Sequence, residues 1–257
     1  MSKKQIDVDL HAANYMAELS REQSFEAILS NSRKKQVLES MKRFKHDNIL
    51  EIGCGLSPLF PDIKNYQNYT IVEPNKNFCE IIYYCYKTDK NVTILNGFLE
   101  EVVGGLGHQK FDFIFMSGVL HQVSNPNDFL CVLHNLCGLD TVVHINVPNA
   151  HSFHRLLAFE MGYIKEIFER SETNLRLQVK WVFDKDSLYQ LVQESGYEVI
   201  NFGTYMIKPF TNEQMEKMIG SGIINEDIIQ GLEGMVKYMP DLGSEMFVNL
   251  RINKDLY

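Results

Sequence analysis

Five short apolar runs set the rhythm of this chain. They cover 49–52, 69–72, 92–95, 111–116 and 141–147, and each ends in a polar, proline or glycine-bearing turn. Segments 77–86 and 128–137, between them, carry helical spacing. A strand buried on both faces reads as a nearly unbroken apolar run, so the alternation predicts a parallel sheet covered by helices on both sides. Further on, Leu188, Leu191 and Val192 share one face of a helix over 184–194, stopped at Gly196. A strand over 197–203 follows, and 245–252 alternates as a closing strand. Residues 151–180 read as helical and then irregular, and 209–240 as inserted helices. In front of the first strand, Val37, Leu38, Met41 and Phe44 repeat at helical spacing after possible caps at Ser30 and Ser32. Tyr15, Leu19, Phe25, Ile28 and Leu29 add one or two helices upstream, so 1–47 reads as a helical lid.

The chain has 257 residues, 45% of them hydrophobic, enough for one large core. The expected organisation is a single domain over 1–257. Within it lie the lid (1–47), a cofactor-binding core (48–150) and cap insertions at 151–180 and 209–240. A net charge of −8 speaks against a general nucleic-acid binder, which grips phosphates with clustered Lys and Arg, and leaves room for a local basic pocket. No apolar run nears the roughly 20 residues of a membrane helix. The N-terminal residues lack the apolar stretch of a signal peptide. Five cysteines, with no Cys-x-x-Cys pair, read as reduced thiols, and the expected compartment is the cytoplasm.

The chemistry begins at Asn48-Ile49-Leu50-Glu51-Ile52-Gly53-Cys54-Gly55-Leu56-Ser57. A strand breaks into a turn whose glycines let the backbone pass close to a ligand. Glu73 follows 22 positions after Glu51, at the end of the second strand. That is where a carboxylate takes up ribose hydroxyls, about 20 residues past the glycine turn. The motif serves either a nicotinamide dinucleotide or an adenosyl cofactor. A dinucleotide site requires a third glycine where this chain has Pro58, which speaks against an NAD dehydrogenase.

These residues, with Asn96-Gly97-Phe98 and Phe111-Asp112 leading to Ser117-Gly118-Val119-Leu120-His121-Gln122-Val123, resemble the class I S-adenosylmethionine-dependent methyltransferases. The resemblance covers about 45–150, and more loosely 181–257. It implies an α/β fold, a Rossmann-like doubly wound seven-stranded sheet whose last strand is antiparallel. It implies S-adenosylmethionine as cofactor and S-adenosylhomocysteine as product. It places Glu51, Gly53, Cys54 and Gly55 beside the methionine half, and Glu73, with Pro74, at the ribose. Gly97, Phe98 and Leu99 fall at the adenine, and Met116, Ser117 and His121 near the sulfonium. Two positions depart from the family pattern: Ser57 stands where a third glycine is frequent, and Phe98 where an aspartate is frequent.

Acceptor residues are expected after strands four and five, at the carboxyl edge of the sheet. His121 is either a general base or a histidine that caps a helix or packs beside the cofactor. The run Asn146-Val147-Pro148-Asn149-Ala150-His151-Ser152-Phe153-His154-Arg155 enters a helix that Asn149 or Ser152 can cap. His151 and His154 are three apart, but no third ligand accompanies them, so no metal is expected. His154 and Arg155 form either an anion clamp or a structural bridge to the lid. The catalytic candidates are therefore His121, His154 and Arg155. His11, Tyr15, Arg33, Trp181 and Lys208 read as core or surface before site. The run from Pro148 to Arg155, with Met161-Gly162, resembles a bacterial subgroup tied to surface-glycan biosynthesis, including O-methyl phosphoramidate capsule modification. That implies a small, anionic acceptor methylated on oxygen; from charge and hydropathy, no nucleic-acid or membrane partner is expected. A small-metabolite N-methyltransferase and a non-catalytic cofactor-binding interaction protein are the alternatives.

Overall fold

The computed structural model describes residues 5–86, 89–107 and 109–254; residues 1–4 of the expected lid lie outside them. Seven strands form one sheet: β1 Asn48–Ile52, β2 Asn68–Glu73, β3 Val92–Asn96, β4 Phe111–Ser117, β5 Cys137–Pro148, β6 Tyr197–Tyr205 and β7 Glu245–Ile252. The spatial order is β3-β2-β1-β4-β5-β7-β6. β1 to β5 are parallel, and β7 runs antiparallel to both β5 and β6. The α/β class, seven strands and antiparallel last strand agree with the sequence reading.

Side-chain alternation along each strand divides the core in two. Leu50, Ile52, Ile114, Met116 and Ile145 face helices α5 (Pro126–His134) and α8 (Lys185–Glu194), against Leu130, Leu133, Leu188 and Val192. Ile49, Ile71, Phe113 and Val142 face the other way, onto Val37 and Met41 of α2 (Phe25–Met41) and Ile82 of α3 (Lys76–Tyr86). A third cluster joins Phe25 and Leu29 of α2 to Tyr205, Met206 and Phe247, and to Met215 of α9 (Asn212–Gly220). α2 is thus a structural layer of the sheet. α1 (Val8–Leu19) lies over the carboxyl edge, tied to residues 176–178. Asp7 and Gln178 bond reciprocally at 2.8 Å, and Asn14 Nδ2 donates to the Arg176 carbonyl at 2.9 Å.

Three local readings change. α2 starts at Phe25 with Ser24 as its cap (Ala27 N to Ser24 Oγ, 3.1 Å), so Ser30 and Ser32 sit inside the helix. The helix expected over 128–137 ends at His134, because Cys137 already pairs with Phe111 at the start of β5. Ser152 stands at the N-cap of α6 (Phe153–Glu160), yet its hydroxyl caps nothing.

Candidate active site

Two glycines shape the turn after β1. Gly53 has φ +74° and Gly55 φ +58°, the left-handed region that side chains disfavour. A Cβ at Gly53 would lie 2.5 Å from Val119 Cγ2, whereas one at Gly55 would meet nothing within 4 Å. The first glycine is needed for packing, the second for the open space in front of it. The turn is fixed to β2 by Gly53 N donating to the Val72 carbonyl at 2.8 Å.

Glu73 ends β2 opposite Asn96 of β3. Its Oε2 accepts the Gly55 N–H at 2.9 Å and its Oε1 the Asn75 N–H at 2.8 Å. Burial pushes its carboxyl above the ordinary value, and these two N–H groups pull it back. Oε2 also takes the Cys54 thiol, so Oε1 is the oxygen that keeps a lone pair for a hydroxyl. Glu51 is held by the Tyr69 hydroxyl at 2.6 Å and Leu59 N at 3.1 Å, and burial raises its pKa to about 7.

A cavity of about 830 Å³ opens at the carboxyl edge of β1, β2 and β4, with α1 and α2 along its side. Every predicted site residue lines it except Met116. Met116 is fully buried on the α5–α8 face, where strand alternation points it, so its place near the sulfonium is corrected. Phe98 is half-buried at the start of α4 (Leu99–Val102). Cys54 Sγ lies 3.9 Å from Glu73 Oε2, and burial holds the thiol well above its usual pKa. His11, Tyr15, Arg33 and Lys208, which the sequence placed in core or surface, also line the cavity. Trp181 does not; its indole donates to the Val123 carbonyl at 2.9 Å. His151 turns away, 3.7 Å from Asp184, and no metal-holding cluster occurs among the described residues.

His121 is buried, its Nδ1 has no partner, and burial, Arg33 and His11 lower its pKa to about 3. An orphaned N–H is rarer than an orphaned lone pair, so the ring proton belongs on Nε2. His121 is therefore a neutral donor and a weak base. His154 is neutral too: burial, Lys208 and Arg155 hold its pKa well below the ordinary value. Arg155 serves mainly as a strap. Its Nη2 donates to the carbonyls of Ile167 and Glu169 at 2.5 and 2.7 Å. The structural-bridge reading of Arg155 thus describes most of its bonds, although the loop it holds is not the lid.

The buried carboxylates at this end are engaged by arginines. Arg33 binds Glu245 through Nε (2.9 Å) and Nη2 (2.5 Å), and Glu26 through Nη1 (2.7 Å). Glu18 is paired with Arg21 and Arg176. Beneath this group, the Tyr205 hydroxyl reaches Asn146 Oδ1 at 3.0 Å and Glu245 Oε2 at 3.2 Å. Asn146 Nδ2 donates to Ser117 Oγ at 3.1 Å and to His144 Nε2 at 2.9 Å. The sequence reading missed Glu26, Glu245, Tyr205 and Tyr69. Asn146, quoted only as the start of a motif, and Glu245 carried one visible signal: each is a polar residue in an apolar strand, at the edge where sites form.

A family model described as a methyltransferase domain matches residues 21–201. The chain belongs to that methyltransferase family. Solved structures share its fold. A S-adenosylmethionine-dependent methyltransferase from Mesorhizobium loti has a TM-score of 0.58 at 12% identity, over 85% of this chain and 97% of that one. The N-methyltransferase NodS from Bradyrhizobium japonicum, solved with S-adenosylhomocysteine, has a TM-score of 0.56 at 10% identity, over 96% and 100%. A possible histamine N-methyltransferase from Thermotoga maritima has a TM-score of 0.54 at 16% identity, over 95% and 91%. At such identities the likeness is one of fold, and one fold hosts many acceptors. No curated protein matches the sequence. The methyltransferase's cavity suits an adenosyl cofactor on two counts: the open space before Gly55, and a buried Glu73 carboxylate whose Oε1 has a lone pair to give.

Proposed function

We propose that this methyltransferase acts in the cytoplasm on an oxygen of a small anionic acceptor, a phosphorylated, phosphoramidate or sugar intermediate of surface-polysaccharide biosynthesis. The observation that carries the anionic part is the pairing of Glu18, Glu26 and Glu245 with arginines. An ammonium acceptor needs a free buried carboxylate at this end and finds none among them. The pathway rests on the run from Pro148 to Arg155 and its resemblance to the surface-glycan subgroup.

In this reading Glu73 takes the ribose hydroxyls. Glu51, Gly53, Cys54 and Gly55 border the methionine half, with Pro74 beside Glu73 at the ribose and Gly97, Phe98 and Leu99 around the adenine. The cofactor, when bound, supplies a methyl group activated on a sulfonium. Ser117 and His121 flank the transfer, and His154 faces the acceptor. His121 orients through its Nε2–H and removes no proton, since a base of pKa about 3 is a poor match for neutral pH. An oxyanion needs no such removal; alignment is the main demand.

A screen of sugar phosphates, phosphoramidates and amines, read by S-adenosylhomocysteine release, tests this. Turnover is expected only with oxyanion-bearing acceptors. Turnover of amines alone would overturn it.

A further inference from the structure

Lys208, in the loop between β6 and α9, is 7% exposed, yet it lines the cavity. A lysine buried to this degree normally meets a carboxylate. Here no ion pair forms among the described residues. Its ammonium carries three N–H donors and makes one hydrogen bond, to Asn212 Oδ1 at 2.7 Å. The Phe25 ring lies under it, 5.8 Å to the centroid. The nearby carboxylates, Glu26 and Glu245, are already held by Arg33. On the α6 side stand His154 and Arg155, the first neutral and the second fastened to two carbonyls. His154 Nδ1 is buried without a partner, which places its proton on Nε2. Two unused N–H donors of an ammonium and one imidazole N–H therefore border the same cavity, with no acceptor for them among the described residues.

We propose that Lys208, with His154, is the binding site for the acceptor's oxyanion and sets the enzyme's preference for anionic over neutral acceptors. The inference rests on the anionic-acceptor reading above and names the residues that enforce it. Arg155, the sequence's first choice as clamp, keeps a supporting place because its guanidinium holds the 161–169 loop. A phosphoryl or carboxylate group supplies the charge partner that the ammonium lacks. The geometry also sets a pH limit. Burial, opposed by Glu26 and Glu245 and assisted by Arg33 and Arg155, brings the Lys208 pKa down to about 8. The site is cationic at pH 7 and loses its charge above pH 8.

The test uses phenyl phosphate as probe, titrated calorimetrically into the full chain saturated with S-adenosylhomocysteine. Binding at pH 7 is expected, with affinity at least tenfold lower in Lys208→Met and in the wild type at pH 9.5. Lys208→Arg should keep most of it, and phenol should not bind. S-adenosylhomocysteine affinity should be unchanged in both variants, which also shows that they fold. Equal phenyl phosphate affinity in Lys208→Met and wild type would overturn the site, as would no binding by a wild type that holds S-adenosylhomocysteine. A wild type that does not bind S-adenosylhomocysteine would instead refute the cofactor assignment beneath it.

Discussion

Arg33 of α2 and Glu245 of β7, 212 residues apart, form a two-pronged ion pair at 2.9 and 2.5 Å. The pair closes the chain's first helices onto its last strand and removes a buried carboxylate from the acceptor's reach. Burial works against the Arg33 charge, but Glu245 and Glu26 outweigh it and hold its pKa well above the usual value.

Arg33→Met leaves Glu26 and Glu245 buried without a cation. Breaking one side of a buried pair is destabilising by about 3–5 kcal/mol, which urea unfolding at pH 7 measures. Arg33→Met/Glu245→Met should recover part of that loss. A single-variant loss under about 1 kcal/mol would mean that water, not Arg33, balances the carboxylates.

The two glycines of the β1 turn should respond differently. Gly55→Ala carries only the strain of a left-handed residue, about 1–2 kcal/mol, because its Cβ enters open space. It should fold and bind S-adenosylhomocysteine at least tenfold more weakly. Gly53→Ala adds a clash with Val119 and should melt at a lower temperature than Gly55→Ala. Thermal scans of both, with and without S-adenosylhomocysteine, check the order.

Glu51 makes stability depend on pH. Its folded pKa, about 7, lies above the ordinary 4.5, so the folded protein holds the extra proton between the two. The stabilising contribution is complete below pH 4.5 and is lost as pH rises through 7. Wild type should lose up to about 3 kcal/mol relative to Glu51→Gln between pH 4.5 and 8. Urea midpoints of both proteins across that range measure it, and parallel curves would contradict it.

Most of the sheet was legible in the sequence, for a physical reason. Strands covered on both faces carry nearly unbroken apolar runs, and β1, β2 and β4 do, interrupted only by Glu51, Thr70 and Asp112. The cofactor turn was legible because glycine and a strand-end acid have few other uses together. Met116 was misplaced because a motif gives position along the strand but not its face. The acceptor end was read poorly. Arg33, Glu26 and Glu245 meet only through tertiary contact, and neither α2 nor β7 has a local pattern that announces it. Lys208 read as core or surface before site, since nothing local signals that Phe25, Arg33 and Arg155 will enclose it.

His121 should remain neutral far below the usual histidine range. Nitrogen-15 imidazole shifts should show an Nε2–H tautomer from pH 8 down to about 4, in line with its pKa of about 3. Titration near 6.5 would restore the general-base role.

We propose the Gly53–Gly55 turn and Glu73 as an adenosyl-cofactor site. Calorimetric titration with S-adenosylhomocysteine, with NAD as control, tests it most directly. S-adenosylhomocysteine should bind and NAD should not, with affinity for the former reduced on the order of 100-fold in Glu73→Ala. Binding of NAD instead, or a Glu73→Ala variant that binds S-adenosylhomocysteine as well as wild type, would contradict it.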